Sequence, residues 1–240
     1  FFWGGGVPTA AVTDLALTPG LKIRLIDVDD LLPAIVKKYG NIFAPSVIKA
    51  NSYPGQTRDS PGFAAWNAIM TTDKMPDEVA YAITRAIFEN KPELVAVHKE
   101  AMNMDLATQT DAHSPAPYHP GAWKYLRQML TKLKKTTAVA ITRTAGLVLG
   151  SAVYALQKTI AIGTGGTGGV YYPLGGAVAN VLSKNLPNTQ ATAEVTGGSV
   201  DNLKLIGSGK PYIALTMVDA TLDAYRGEDK FKGNKIPVRT

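Results

Sequence analysis

The sequence predicts an α/β fold built on a mostly parallel sheet. Three observations carry that expectation. Between residues 159 and 225 strand-type and helix-type segments alternate as βαβαβα, and such alternation implies parallel strands joined by right-handed crossovers. Two of the three strands run into glycine-rich turns that open helices, Gly163-Thr-Gly-Gly-Thr-Gly-Gly169 and Thr196-Gly-Gly-Ser199. The 240 residues are 45% hydrophobic and 18% charged, which is globular composition with ample material for a core, and the length fits one large domain or two small ones.

In order along the chain, the pattern predicts a strand over 21–28 and a helix over 31–39. Segments 47–50 and 63–70 read as strands or a buried pair. A helix over 77–90 has Val79, Ala82, Ile83, Ala86 and Ile87 on one face. A second helix is expected over 92–103, a polar, proline-rich loop over 111–120, and the start of a last helix over 122–128. The regular half opens with a strand over 159–162. The helix expected over 169–184 carries Val170, Leu174, Ala177, Val178, Val181 and Leu182 at helical spacing, and Asn185-Leu-Pro-Asn188 ends it. A strand over 189–195 alternates through Ala191, Ala193 and Val195. The second glycine turn supplies Ser199 as an N-cap type for a helix over 200–207. A strand over 212–218, closed by Asp219, leads to a helix over 220–225 that stops at Gly227. No internal repeat is evident beyond the two glycine turns.

Charge and composition exclude several classes. Cysteine is absent, which removes disulfides, thiolate catalysis, zinc–cysteine sites and iron–sulfur clusters. The net charge is +6, but residues 129–157 hold Lys132, Lys134, Lys135 and Arg143 with no acidic residue, leaving only +2 for the rest. A nucleic-acid binder needs a basic face with interleaved aromatics, and no such run occurs elsewhere. Met129-Leu-Thr-Lys-Leu-Lys-Lys135 precedes an apolar region that ends in small residues at Val153-x-Ala155. That is the layout of a secretory signal peptide. Arg143 interrupts the apolar region, and the stretch after it is shorter than the ~20 residues of a membrane span. The other reading of this segment is a helix continuing from residue 122. Both ends of the chain read like the interior of a domain, whereas the middle reads like a start.

The glycine turns carry the candidate chemistry. Glycine permits φ > 0 and close approach of a ligand to the main chain, and the helix that follows offers unpaired N–H groups and the positive end of its dipole. Strand, glycine turn and helix together form an anion-binding site. Gly163-x-Gly165-x-x-Gly168 matches a dinucleotide fingerprint in its required context, with Glu194 at the end of the next strand as a ribose partner. No lysine follows the loop, so a P-loop is excluded. A carboxylate suits such a turn as well as a phosphate does. In a parallel sheet both turns fall on one carboxyl edge, where ligands bind. His98, His113 and His119 show no metal-ligand spacing, no nucleophile elbow is present, and neither an enzyme nor a cofactor is expected.

These segments resemble the TAXI-type solute receptors of tripartite ATP-independent periplasmic (TRAP) transporters. The glycine loop through Gly176, Thr196-Gly-Gly-Ser-Val-Asp-Asn-Leu203 and 213–219 with its terminal aspartate resemble the early portion of that family. Phe2-Trp-Gly-Gly-Gly-Val-Pro-Thr9, Tyr53-Pro-Gly-Gln56, the helix over 79–90 and His119-Pro-Gly-Ala122 resemble its late portion. The order is reversed: late portion 1–128, signal-like segment 129–157, early portion 158–240. The family's central segment is missing. A join between tandem genes, an assembly artefact or a circularly permuted remnant would each produce this arrangement.

The resemblance implies one lobe of a type II periplasmic-binding-protein-like fold in permuted order, with the second lobe largely absent and segments 21–128 and 158–240 complementing each other. It implies periplasmic capture of a small organic anion, a glutamate-like amino acid or a dicarboxylate, for delivery to the membrane subunits of a TRAP transporter. The residues expected to donate to carboxylate oxygens are Thr164, Gly166, Thr167, Thr196, Gly197 and Ser199. Tyr171 would stack on or bond the ligand, Asn202 and Asp219 would reach an ammonium or hydroxyl group, and Pro8 and Thr9 would come from the opposite lobe. The rival readings are a dinucleotide-dependent oxidoreductase resting on Gly163, Gly165, Gly168 and Glu194, and a fused fragment without function.

Overall fold

The computed structural model describes residues 4–138, 158–209 and 212–240. The first half contributes α1 (Ala10–Leu17), α2 (Leu32–Tyr39), β1 (Phe43–Ile48), β2 (Ser60–Ala65), β3 (Asn67–Thr72), α3 (Asp77–Glu89), α4 (Lys91–Val97) and α5 (Pro120–Ala138). Then follow β4 (Lys158–Gly163), α6 (Tyr171–Asn185), β5 (Thr189–Glu194), α7 (Ser199–Gly207), β6 (Tyr212–Met217), α8 (Val218–Arg226) and β7 (Val238–Arg239). Five strands pair in the order β5-β4-β6-β3-β7. β4 is parallel to both β5 and β6, with Gly163 opposite Glu194 on one side and Ala214 on the other. β3 enters antiparallel, Asn67 opposite Met217, and β7 pairs antiparallel with it. A strand from the first half thus lies inside a sheet whose parallel strands all come from the second.

Burial on both faces explains the composition of the central strands, which read as apolar runs. Ile160 and Ile162 of β4 and Ile213 of β6 pack in one cluster with Val178, Val181 and Leu182 of α6, Ile83 and Ile87 of α3, and Leu94 of α4. On the other face Ala214 and Met70 pack with Leu203 and Ile206 of α7, Ala224 of α8, and Phe231, Ile236 and Val238. The result is a three-layer α/β/α sandwich. α5 lies outside α3, joined through buried Tyr125, whose ring meets Tyr81 edge-on at 5.7 Å. β1 and β2 form a separate antiparallel hairpin. Ile42, Val218 and Leu222, with Tyr39, Phe43 and Trp66 around them, join it to α8.

Several expectations from the pattern are corrected. Residues 21–28 form no strand, although Leu21, Ile23 and Leu25 alternate as one would. A strand needs a ladder partner, and the bond from Val28 N–H to Pro61 O at 3.2 Å is isolated, the others there being local turn bonds to Thr18 and Leu31; Ile26 is 78% exposed. Segment 63–70 is split between two sheets, because the Trp66 N–H donates to Ile42 O (3.4 Å) and its carbonyl accepts from Val218 N–H (3.2 Å). The helix expected over 92–103 breaks at His98, which takes an extended backbone and caps a 3₁₀ turn by accepting the Glu100 N–H at Nδ1 (3.2 Å). α1, β1 and β7 were not anticipated at their observed positions. α5 continues from residue 122 through the lysine cluster, while the rest of the signal-like segment, 139–157, lies outside the described residues.

Candidate functional site

The carboxyl ends of β4, β5 and β6 lie on one edge, with neighbouring strands ~4.8 Å apart. From β4 the chain passes through α6 to β5 on one side, then through α7 to β6 on the other. Strand order reverses there, which is where open α/β sheets form their crevice. Both glycine turns meet at that edge.

Packing accounts for two glycines of the first turn and its helix. A Cβ on Gly163 would lie 2.6 Å from Asn202 Oδ1, and one on Gly175 would collide with Thr164 Cγ2. The positions left open to solvent are Gly166, Thr167 and Gly168. Among the described residues, the N–H groups of Gly165 to Gly168 meet no backbone acceptor, and the Gly169 N–H closes the turn onto Gly166 O at 3.0 Å.

A buried polar network ties the two turns to β6. Thr164 is wholly buried; its N–H and hydroxyl donate to Glu194 O at 3.0 and 2.6 Å. Asn202, equally buried, donates through Nδ2 to Thr164 O and to Leu215 O, both at 2.7 Å. The Thr196 hydroxyl reaches Asn202 Oδ1 at 2.7 Å, and the Gly198 N–H donates to Thr196 Oγ1 at 3.1 Å. Gly198 has φ +97°, a conformation open to glycine. Thr164 and Asn202, expected to touch ligand, therefore spend their side chains on the scaffold.

The remaining expected residues surround this network. Ser199 Oγ accepts the Met217 N–H at 3.0 Å, tying the start of α7 to the end of β6. The Tyr171 hydroxyl donates to Asn67 Oδ1. Burial pushes the Tyr171 phenol above its ordinary value; a hydrogen bond with Ser199 opposes this and the charge of Asp219 adds to it. Asp219 Oδ1 accepts the Ala220 N–H at 2.8 Å. Gly197 is exposed and lies against the Asp201 carboxylate. From the far side, the Ala11 N–H at the start of α1 donates to Gly168 O at 3.3 Å. Thr9, just before it, is held by Tyr53 Oη and Gly6 O, and Pro8 is exposed.

Asn67 and Asp201 belong to this constellation and were missed. Asn67 opens a strand that joins the sheet from 90 residues away in sequence, so no local motif marks it. Asp201 does carry a signal, an acidic residue in the first turn of a helix. A separate cleft of about 380 Å³ between α8 and the segment before β1 is lined by Tyr39, Asn41, Ser114, Leu222 and Arg226. None of the expected ligand residues reaches it. Among the described residues no His, Asp and Glu side chains gather as a metal site.

The buried phenols predict an alkaline response. Tyr118 is pushed up to about 12, first by burial and then by the charge of Asp111, and Tyr171 is raised in the same direction. Against an unfolded value of about 10, a raised phenol adds stability that is complete below pH ~10 and lost as pH climbs through the folded value. Titrating phenolate absorbance of the folded protein should show late-ionising groups, one removed by Tyr118→Phe and one by Tyr171→Phe. Uniform ionisation near pH 10 would contradict the burial argument.

A family model described as the NMT1-like family matches residues 1–129 and 162–239. The match covers both halves of the chain, and with them both glycine turns, α1 and β3.

Proposed function

The chain belongs to the NMT1-like family, a family of the periplasmic substrate-binding type, and we propose that it is an extracytoplasmic solute-binding protein for a small carboxylate. The observation that carries this reading is the meeting of two glycine turns, each opening a helix, on the carboxyl edge of three parallel strands. Each helix N-terminus offers a carboxylate ~0.3–1 kcal/mol, and ~2 kcal/mol in a partly buried geometry. In this reading the N–H groups of Gly166, Thr167, Gly197 and Ser199 bind the carboxylate oxygens. Tyr171 and Asp219 orient the rest of the ligand, Asp219 taking an ammonium or hydroxyl group. Thr164, Thr196 and Asn202 hold the turns in place, and Pro8 and Thr9 close the site from α1. The finer proposal is a TAXI-type receptor with a glutamate-like or dicarboxylate ligand, serving the membrane subunits of a TRAP transporter. Its late portion would be 1–128, its early portion 158–240, and its second lobe largely absent.

Thermal unfolding tests this. At ~100 times Kd a ligand adds about 2.7 kcal/mol, a Tm rise of roughly 5–10 °C for a chain of this size. Glutamate or succinate should produce such a rise, and Ser199→Ala, which frees the start of α7 from the Met217 N–H, should reduce it. Asp201→Asn should enlarge it, because the Asp201 carboxylate already occupies part of the positive end of α7. A rise with NAD and none with any carboxylate would replace the receptor with a dinucleotide enzyme. No rise with any of these ligands would end the binding proposal.

A further inference from the structure

α5 stands apart from the other helices in its charge. Its 19 residues, PGAWKYLRQMLTKLKKTTA, hold Lys124, Arg127, Lys132, Lys134 and Lys135 and no acidic residue. At 3.6 residues per turn these five positions fall within one arc of roughly 160°. The opposite side of the helix packs against α3 through Ala122, Tyr125 and Leu126. Lys124, Arg127 and Lys132 are exposed. At the start of the helix Tyr118 stacks on Trp123 (4.8 Å), Arg127 lies over Trp123 (5.1 Å) and Lys124 lies over Tyr81 (5.8 Å). The neighbouring α3 contributes Asp77, Glu78 and Glu89, and Glu89 approaches Arg85 at 3.8 Å.

We propose that the exposed face of α5 is a docking surface for an anionic lipid bilayer. A cluster of four to eight basic residues on an amphipathic helix is what binds anionic lipid, each charge acting within a Debye length of the surface. Trp123, half-buried at the edge of the basic arc, supplies the apolar contact that such helices place at the headgroup boundary. Charge complementarity favours a membrane over a nucleic acid, because the basic residues line one face of a single helix rather than tracking a groove with base-stacking aromatics. The sequence continues in the same sense, since residues 136–156 hold a single charged residue, Arg143.

Co-sedimentation of the full chain with vesicles is the test. Vesicles of equal parts phosphatidylglycerol and phosphatidylcholine should bind the protein at about 0.1 M salt and release it at about 0.5 M. The triple variant Lys124→Gln, Arg127→Gln, Lys132→Gln should partition roughly 100-fold more weakly, at about fivefold per charge. A control variant with Lys22, Lys204 and Lys232 changed to Gln should bind as the parent does. Circular dichroism melting of both variants confirms that they fold. Three results would overturn the proposal: equal, salt-insensitive binding to pure phosphatidylcholine; undiminished binding of the α5 variant; or capture by heparin without any binding to vesicles.

Discussion

Replacing Asn202 with aspartate is expected to destabilise the protein by about 4 kcal/mol near neutral pH, a large share of the ~5–15 kcal/mol that typically holds a domain folded. Asn202 Nδ2 donates both hydrogens to carbonyls, Thr164 O and Leu215 O, and Oδ1 accepts from Thr196. One side chain therefore fastens the end of β4, the end of β6 and the turn after β5. An ionised carboxylate has no hydrogen to give, so two buried carbonyls would face a buried negative charge. Burial and those carbonyls would raise the folded pKa of the new aspartate above its unfolded value of about 3.9. A raised folded pKa means the relative stability is retained below about pH 4 and lost as pH rises through the folded value. Urea unfolding at pH 4.5 and 7.5 should show the variant's deficit growing with pH, while the parent supplies the baseline. Asn202→Ala provides a second arm without the charge. It removes three buried hydrogen bonds at about 1 kcal/mol each, although the Thr196 hydroxyl keeps Thr164 O as an acceptor at 3.1 Å, and its deficit should not grow with pH as that of the aspartate does. A loss below about 1 kcal/mol in the alanine variant would show that water or rearrangement satisfies those groups, and that the turns do not depend on Asn202.

The order β4, α6, β5, α7, β6, α8 was legible because each element is announced locally, by period and by what ends it. The place of β3 and β7 in the sheet was not, because their pairing lies in contacts far apart in sequence: Thr72 meets Val238 across the whole second half. Local alternation also misled. Segment 21–28 has the period of a strand without a sheet to join, and 63–70 reads continuously although Trp66 hands the chain from one sheet to the other. At the candidate site the turns were legible and the division of labour was not. A polar residue at a strand end looks the same in sequence whether it faces a ligand or, like Thr164 and Asn202, a neighbouring carbonyl. The burial that separates the two roles comes from α6 and α7 closing over the edge. Asn67 shows the converse case, a residue with no motif of its own that the antiparallel strand delivers beside Tyr171.

Gly121→Ala should destabilise the protein by about 3 kcal/mol, although alanine is the better helix former by ~1 kcal/mol. Gly121 sits in the first turn of α5, and a Cβ there would collide with the Asp77 carbonyl oxygen and lie 2.8 Å from its carbon. These are backbone atoms at the start of α3, with no flexible end to swing aside, so relief requires the two helices to part. The junction has little room for that. His119, 2% exposed, bonds Met75 O through Nε2 at 2.8 Å and accepts the Gly121 N–H at Nδ1 (3.2 Å). The His119 N–H donates to Thr240 O at 2.8 Å. Separating α5 from α3 would pull on the loop after β3 and on the last residue of the chain together, and would loosen Tyr125 and Leu126. Gly176 supplies the contrast: it lies inside α6, and a Cβ there meets nothing within 4 Å. Gly176→Ala should stabilise by about 0.5–1 kcal/mol through helix propensity alone. Denaturant midpoints of the two variants should move in opposite directions from the parent. If both rise, the α3–α5 junction yields to a methyl group, and the closeness of these two helices is not what the glycine secures.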